Sequence, residues 1–246
     1  MKCPAENLFT PIYLKTSPHM PWPEGEKAFY LLSRDGLFFC RNHAFYKSCV
    51  QARDWPRELA SQVELLELRY PKIGRRLLEV MVGFFDKVAD LHGAEAALLL
   101  AWNPSARQVE VIAPEQVATV GETSRGLIYP IGVKYEIPEN LAADWTIFGD
   151  IHSHVYEDAY ASWTDKEDET HRAGLHIVVG RLQNEPPEFH IEAVVDGTRF
   201  KVEPARVFGD YRQRSNEFPK EWLDRVKVEN NSSFRKTTFE SQGDAR

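Results

Sequence analysis

Between residues 72 and 92 the apolar side chains Ile73, Leu77, Leu78, Met81, Phe84, Phe85, Val88 and Leu91 recur at steps of three and four. That spacing lays one stripe along a 3.6-residue helix, and a stripe this long needs another layer to cover it. Pro71 suits the first turn and Gly93 the C-terminal cap. Directly behind, residues 94–102 are a largely apolar run that reads as a strand ending at the turn Asn103-Pro104-Ser105. Residues 109–113 and 133–137 alternate as strands do, and residues 145–151 are apolar and lead straight into His152. Residues 164–173 read as a second helix, with Thr164 and Glu167 in capping-box spacing. Strands follow at 175–182 and 188–195, joined by a Pro-containing turn, and Asp196-Gly197 turns the chain into a last strand at 199–202. Helix, strands, helix, strands predicts an α/β sandwich with a mixed sheet.

The remainder divides by texture. Residues 1–70 are aromatic and strand-like, with Asp35-Gly36 as a hairpin turn between two apolar runs, and predict a small β-rich N-terminal accessory module. The expected boundaries are 1–70 for that module, 71–205 for the main domain, and 206–246 for a C-terminal extension that ends in a polar tail. Thirty Lys and Arg against 37 Asp and Glu leave a net charge of −7 over 246 residues, which argues against a nucleic-acid or anionic-membrane binder. No apolar run reaches the ~18 residues of a membrane span. Met1 to Asn7 lacks the apolar core of a signal peptide, so the expected location is the cytoplasm. Cys3, Cys40 and Cys49 have neither metal nor redox spacing; Cys40 and Cys49 read as buried free thiols.

Chemistry concentrates in residues 149–165, where His152-Ser153-His154 is followed after seven residues by Ser162 and, after two more, by Asp165. An i, i+2 pair in extended backbone turns both imidazoles to one face, half of a tetrahedral zinc site. Asp165 falls in the first turn of the next helix, where the dipole and free N–H groups favour a carboxylate. The intervening loop can fold back and bring it in as a third ligand, leaving a fourth position open as in catalytic zinc sites. Taken singly, the histidines could be structural, Ser162 a helix cap and Asp165 a dipole partner. Their conjunction is what points to a metal.

The pattern is the signature of the JAMM (JAB/MPN-type) zinc metallopeptidases, which the chain resembles from about residue 72 to 202. The resemblance implies a JAMM/MPN-type, cytidine-deaminase-like three-layer sandwich. It also implies one zinc ion held by His152, His154 and Asp165, with Ser162 donating to the developing oxyanion. The family's acidic general base comes from the strand after the first long helix, which points to Glu95. Glu95 is the sole acidic residue in a small, apolar run, where an unpartnered charge is costly; a solvated strand start is the other reading, and Glu110 and Glu115 are the rival bases. His171 and His176 read as a helix-end and a strand residue, not as ligands. Leu98 and Trp102 stand where many members have glycines, and Val155 where many have proline. Residues 114–131 are too short to hold a large insertion.

By the same resemblance the substrate is a ubiquitin-like protein or its conjugates, cut at the peptide or isopeptide bond behind its C-terminus. The N-terminal module suggests a bacterial JAB-type, deubiquitinase-like protein of the kind that accompanies E1-like and E2-like partners, in some cases in antiphage operons. Two other readings stand beside it: a non-catalytic MPN-type scaffold that binds protein partners, and a peptidase that processes a sulfur-carrier-like protein.

Overall fold

The turn at Arg34 and Asp35 folds the N-terminal hairpin, and Gly36 opens its second strand at φ +119°, a conformation that needs glycine. The computed structural model describes residues 10–138 and 140–231, divided into the units Met1–Leu65 and Leu66–Arg246. In the first unit β1 (Ile12–Leu14), β2 (Ala28–Ser33), β3 (Gly36–Asn42) and β4 (Lys47–Gln51) form one sheet in that order. Strand β1 runs parallel to β2, and the other pairs are antiparallel. Phe29, Leu37 and Cys40 are buried, with the Phe29 ring edge-on to Tyr13 and Trp22. Cys40 is buried as expected but Cys49 is exposed, because β4 is the outer strand of the sheet.

The second unit holds α1 (Arg75–His92), β5 (Ala97–Asn103), β6 (Gln108–Ile112), β7 (Gln116–Glu122), β8 (Ile128–Tyr135), β9 (Thr146–Ser153), α2 (Trp163–Glu169), β10 (Gly174–Gly180), β11 (Glu188–Val195), β12 (Thr198–Lys201), α3 (Pro204–Val207), α4 (Glu221–Asp224) and β13 (Val226–Asn230). A six-stranded sheet runs β12-β11-β10-β9-β5-β6, and a three-stranded one runs β13-β7-β8. Only β9 and β10 are parallel within the larger sheet, joined through α2, so the sheet is mixed.

Alternation gives that sheet two unlike faces. Leu98, Leu100, Ile151, Leu175, Ile177, Val179 and Ile191 turn one way and meet Leu78, Met81, Phe84, Phe85 and Val88 of α1. Each such side chain contributes about 1.5–3 kcal/mol on burial. The in-between residues Asp150, His152, His176 and Glu192 therefore share the opposite face. Helix α1 begins at Arg75, because Ile73 is drawn into a bridge with Phe208; Pro71 consequently lies before the first turn, and Leu91 is exposed. Gly93 caps the helix at φ +60°, as its position predicted.

Residues 206–231 contribute to this core. Val207, Phe208 and Trp222 are buried, β13 pairs with β7, and Gly83 of α1 lets the Ser215 backbone come so close that a Cβ could not fit. Among the described residues no helix is long and apolar enough to cross a membrane.

Candidate metal centre

The site lies at the C-terminal end of β9. Ser153 faces away from the two histidines and anchors them: its Oγ accepts from the Ala96 N–H at 3.2 Å, and its own N–H donates to the Ala96 carbonyl at 3.0 Å. In the antiparallel register of β5 and β9, Ala97 pairs with His152. Continued by two residues, that register brings the half-buried Glu95 opposite His154. Of the rival acids, Glu110 is exposed, and Glu115 is exposed beside Arg225 at 3.4 Å.

Helix α2 supplies the rest. Its N-cap is Ser162, not Thr164: the Ser162 Oγ accepts from the Asp165 N–H at 3.2 Å, and the Asp165 carboxylate accepts from the Ser162 N–H at 2.8 Å. This reciprocal capping box fixes the carboxylate before any ligand arrives. It also leaves the Ser162 hydroxyl hydrogen unused by the cap, since Oγ acts there as acceptor.

Three ligand atoms converge. His152 Nε2 and His154 Nε2 are 3.3 Å apart, and each stands 3.6 Å from an oxygen of Asp165. A tetrahedral ion with bonds of ~2.0–2.1 Å needs ligand atoms about 3.3–3.4 Å apart; the two imidazole nitrogens have that spacing, and Asp165 turns Oδ1 to His152 and Oδ2 to His154. The histidines are buried and the carboxylate is partly open, which leaves the fourth corner toward solvent. His154 Nδ1 is buried without a hydrogen-bond partner.

Charge in the site is held in tension. Burial pushes the Asp165 carboxyl up, but the bonds from His152, His154 and Ser162 overturn that and hold it well below its usual range. Burial opposes a charge on His152, yet the bond to Asp165 outweighs it and raises the imidazole. Glu95 is raised by burial, against the pull of His152 and His154.

The loop between His154 and Ser162 is clamped to the end of β10. The His154 N–H donates to the Val179 carbonyl, Leu182 N–H to Val155 and Arg181 N–H to Glu157, at 2.7–2.8 Å. Gly180 allows this approach, because a Cβ there would collide with the backbone of residues 157–159. Buried Val155 sits at φ +53°, rare for a β-branched residue and closed to proline, so this loop leaves the second histidine differently from one that carries proline. Tyr160 stands edge-on to His154 at 5.0 Å, and Tyr156 and Trp163 are exposed.

A second acidic cluster, unread in the sequence, lies on the same sheet face. Asp150, Glu169 and His176 are all buried, and their oxygen and nitrogen atoms lie within 4.8 Å of one another. His176 Nδ1 is 2.8 Å from Asp150 and Nε2 is 3.0 Å from the Arg172 carbonyl. With an acceptor at each nitrogen the ring carries both protons. Burial works against that charge, but Asp150 outweighs it and raises the ring's pKa from its ordinary 6.5. Arg172 donates to Asp150 at 2.7 Å and Arg199 to Glu169 at 2.7 Å, so cations already fill the cluster.

Two imidazoles and one carboxylate brought together on a mixed α/β domain are a donor set that could hold one divalent ion. Residues 79–194 match the family described as prokaryotic homologs of the JAB domain. None of the curated proteins matches the chain.

Proposed function

We propose that the protein is a zinc-dependent hydrolase that cuts the peptide or isopeptide bond behind the C-terminus of a ubiquitin-like protein. The observation that carries this reading is the convergence of His152 Nε2 and His154 Nε2, 3.3 Å apart, with one Asp165 oxygen 3.6 Å from each, a donor set suited to one zinc ion. A zinc ion bound there would supply Lewis acidity to the scissile carbonyl and to water. His152, His154 and Asp165 hold the ion. Glu95, opposite His154, takes a proton onto its carboxylate and returns it to the departing amine. Ser162 keeps its hydroxyl hydrogen for the developing oxyanion, while its Oγ and N–H remain engaged in the helix cap.

Support for an extended polypeptide substrate comes from β8, the outer strand of its sheet, whose Ile128, Tyr129 and Ile131 are exposed. Ile128 touches Gly93, two residues before Glu95, where a Cβ would stand 3.1 Å from it. An outer strand accepts a tail by backbone pairing and reads alternate side chains. In this reading the domain is a three-layer, cytidine-deaminase-like sandwich, and the β-rich N-terminal unit is the accessory part, in a bacterial ubiquitin-like pathway with E1-like or E2-like partners.

The deciding experiment measures zinc per chain in purified protein and cleavage of a tagged ubiquitin-like fusion with and without chelator. One zinc per chain and chelator-sensitive cleavage are expected. Protein that folds without stoichiometric metal and cleaves nothing would make it a scaffold instead.

A further inference from the structure

Strands β3 and β4 place Cys40 directly across from Cys49, with the sulfur atoms 3.2 Å apart. Which kind of cross-strand position this is follows from the ladder. His43 and Tyr46 exchange both backbone hydrogen bonds, and the Ala52 N–H donates to the Leu37 carbonyl. Hydrogen-bonded pairs in an antiparallel ladder alternate with non-bonded ones, so Cys40 and Cys49 form a non-bonded pair. In such a pair the Cα atoms are about 4.5 Å apart and the side chains are at their closest, inside the ~4.4–6.8 Å that a disulfide spans. Closing 3.2 Å to the ~2.0 Å of an S–S bond takes about 1.2 Å, within reach of side-chain rotation.

We infer that Cys40 and Cys49 are a thiol–disulfide exchange site for a low-molecular-weight disulfide of the glutathione type. Access assigns the order of events. Cys49 is exposed on the outer strand, whereas Cys40 has no exposed surface. Burial, and then the bond to Cys49, push the Cys40 thiol up to about 12, which suits it to the second step and not the first. Cys49, as thiolate, attacks one sulfur of the small disulfide and expels the other half as a thiol carrying a proton. Cys40 then gives up its proton and attacks the Cys49 sulfur, expelling the second thiol. Two protein thiols are oxidised to one disulfide while one small disulfide is reduced to two thiols. The product ties the outer strand of the sheet to its neighbour and is reversed by excess small thiol.

The test uses full-length protein carrying Cys3→Ser, so that only these two thiols remain. After exposure to glutathione disulfide, its mass should fall by two hydrogens, with a disulfide-linked peptide joining residues 40 and 49. Reduced glutathione should restore the original mass. Cys40→Ser should stop at a single glutathione adduct on Cys49, and Cys49→Ser should not react. A Cys3→Ser protein that remains fully reduced, or that stops at a lasting adduct with Cys40 still open to alkylation after denaturation, would overturn the assignment. Both of these readouts come from protein with the native hairpin, so they do not depend on whether the serine variants fold.

Discussion

Two triads stand two residues apart along β9, on the same face of one sheet, and one amino-acid vocabulary gives them opposite behaviour. In His152, His154 and Asp165 the two Nε2 atoms and the carboxylate point at one another, with no guanidinium among this triad's contacts with the described residues. In Asp150, Glu169 and His176 the imidazole gives its protons to Asp150 and to a backbone carbonyl, Arg172 shares that same Asp150 Oδ2, and Arg199 donates to Glu169 Oε2. Arg199 also reaches Glu192 at 2.9 Å. The first triad has converging lone pairs that a cation would satisfy. The second has its cations built in. Residue type alone does not define a metal site; what decides is whether the donors already hold protons and guanidinium groups.

The comparison breaks most visibly through the first triad. His154→Ala should lose stoichiometric zinc and all cleavage, whereas Glu95→Gln should keep zinc and lose about 100- to 10,000-fold in turnover; metal analysis and rate measurements on the same samples separate them. A Gln variant that cleaves at the parent rate would remove Glu95 as the base. Next in size is Asp150→Asn, which strands Arg172 and His176 and should cost about 3–5 kcal/mol in denaturant unfolding. Folded Asp150→Asn protein should still bind one zinc; two per parent chain falling to one would mean that the second triad also takes metal. Gly180→Ala pushes on the loop behind His154 and should weaken zinc affinity about 10- to 100-fold in competition with a chelator, with a smaller effect on unfolding.

The smallest effect is in pH. The folded His176 ring is raised above its ordinary 6.5, so the stability it adds is complete below that value and fades as pH rises through the folded pKa. In chelator, the gap in unfolding free energy between the parent and His176→Gln should be widest below about pH 6.5 and narrow on going alkaline. A gap that widens instead would place a neutral ring at this position.

The first triad was legible because its signal is local. A strand running into His152, an i+2 partner and a helix start at Ser162 fall within fourteen residues, and strand and helix periods place them without tertiary knowledge. The mixed sheet and the α1 stripe were legible for the same reason. The helix cap was misplaced by two residues, since Thr164 and Glu167 offer the same capping chemistry and only the reciprocal bonds of Ser162 and Asp165 decide between them. The second triad was illegible, because Asp150, Glu169, Arg172, His176 and Arg199 come from four elements and the turn after α2, with no shared spacing. The segment 116–122 carries too little apolar alternation to announce β7, which lies between β8 and β13, the latter from more than a hundred residues away. Cys40 and Cys49, nine positions apart, match no motif; strand register alone makes them neighbours.

The capping box at the start of α2 has a kinetic consequence. Ser162 and Asp165 grip each other's amides as the helix forms, so the entropy of aiming that carboxylate is spent in folding and none is left for the moment an ion arrives. Zinc would enter a finished mould: rapid loading, an unchanged circular dichroism spectrum, and an empty protein that keeps its shape while it waits.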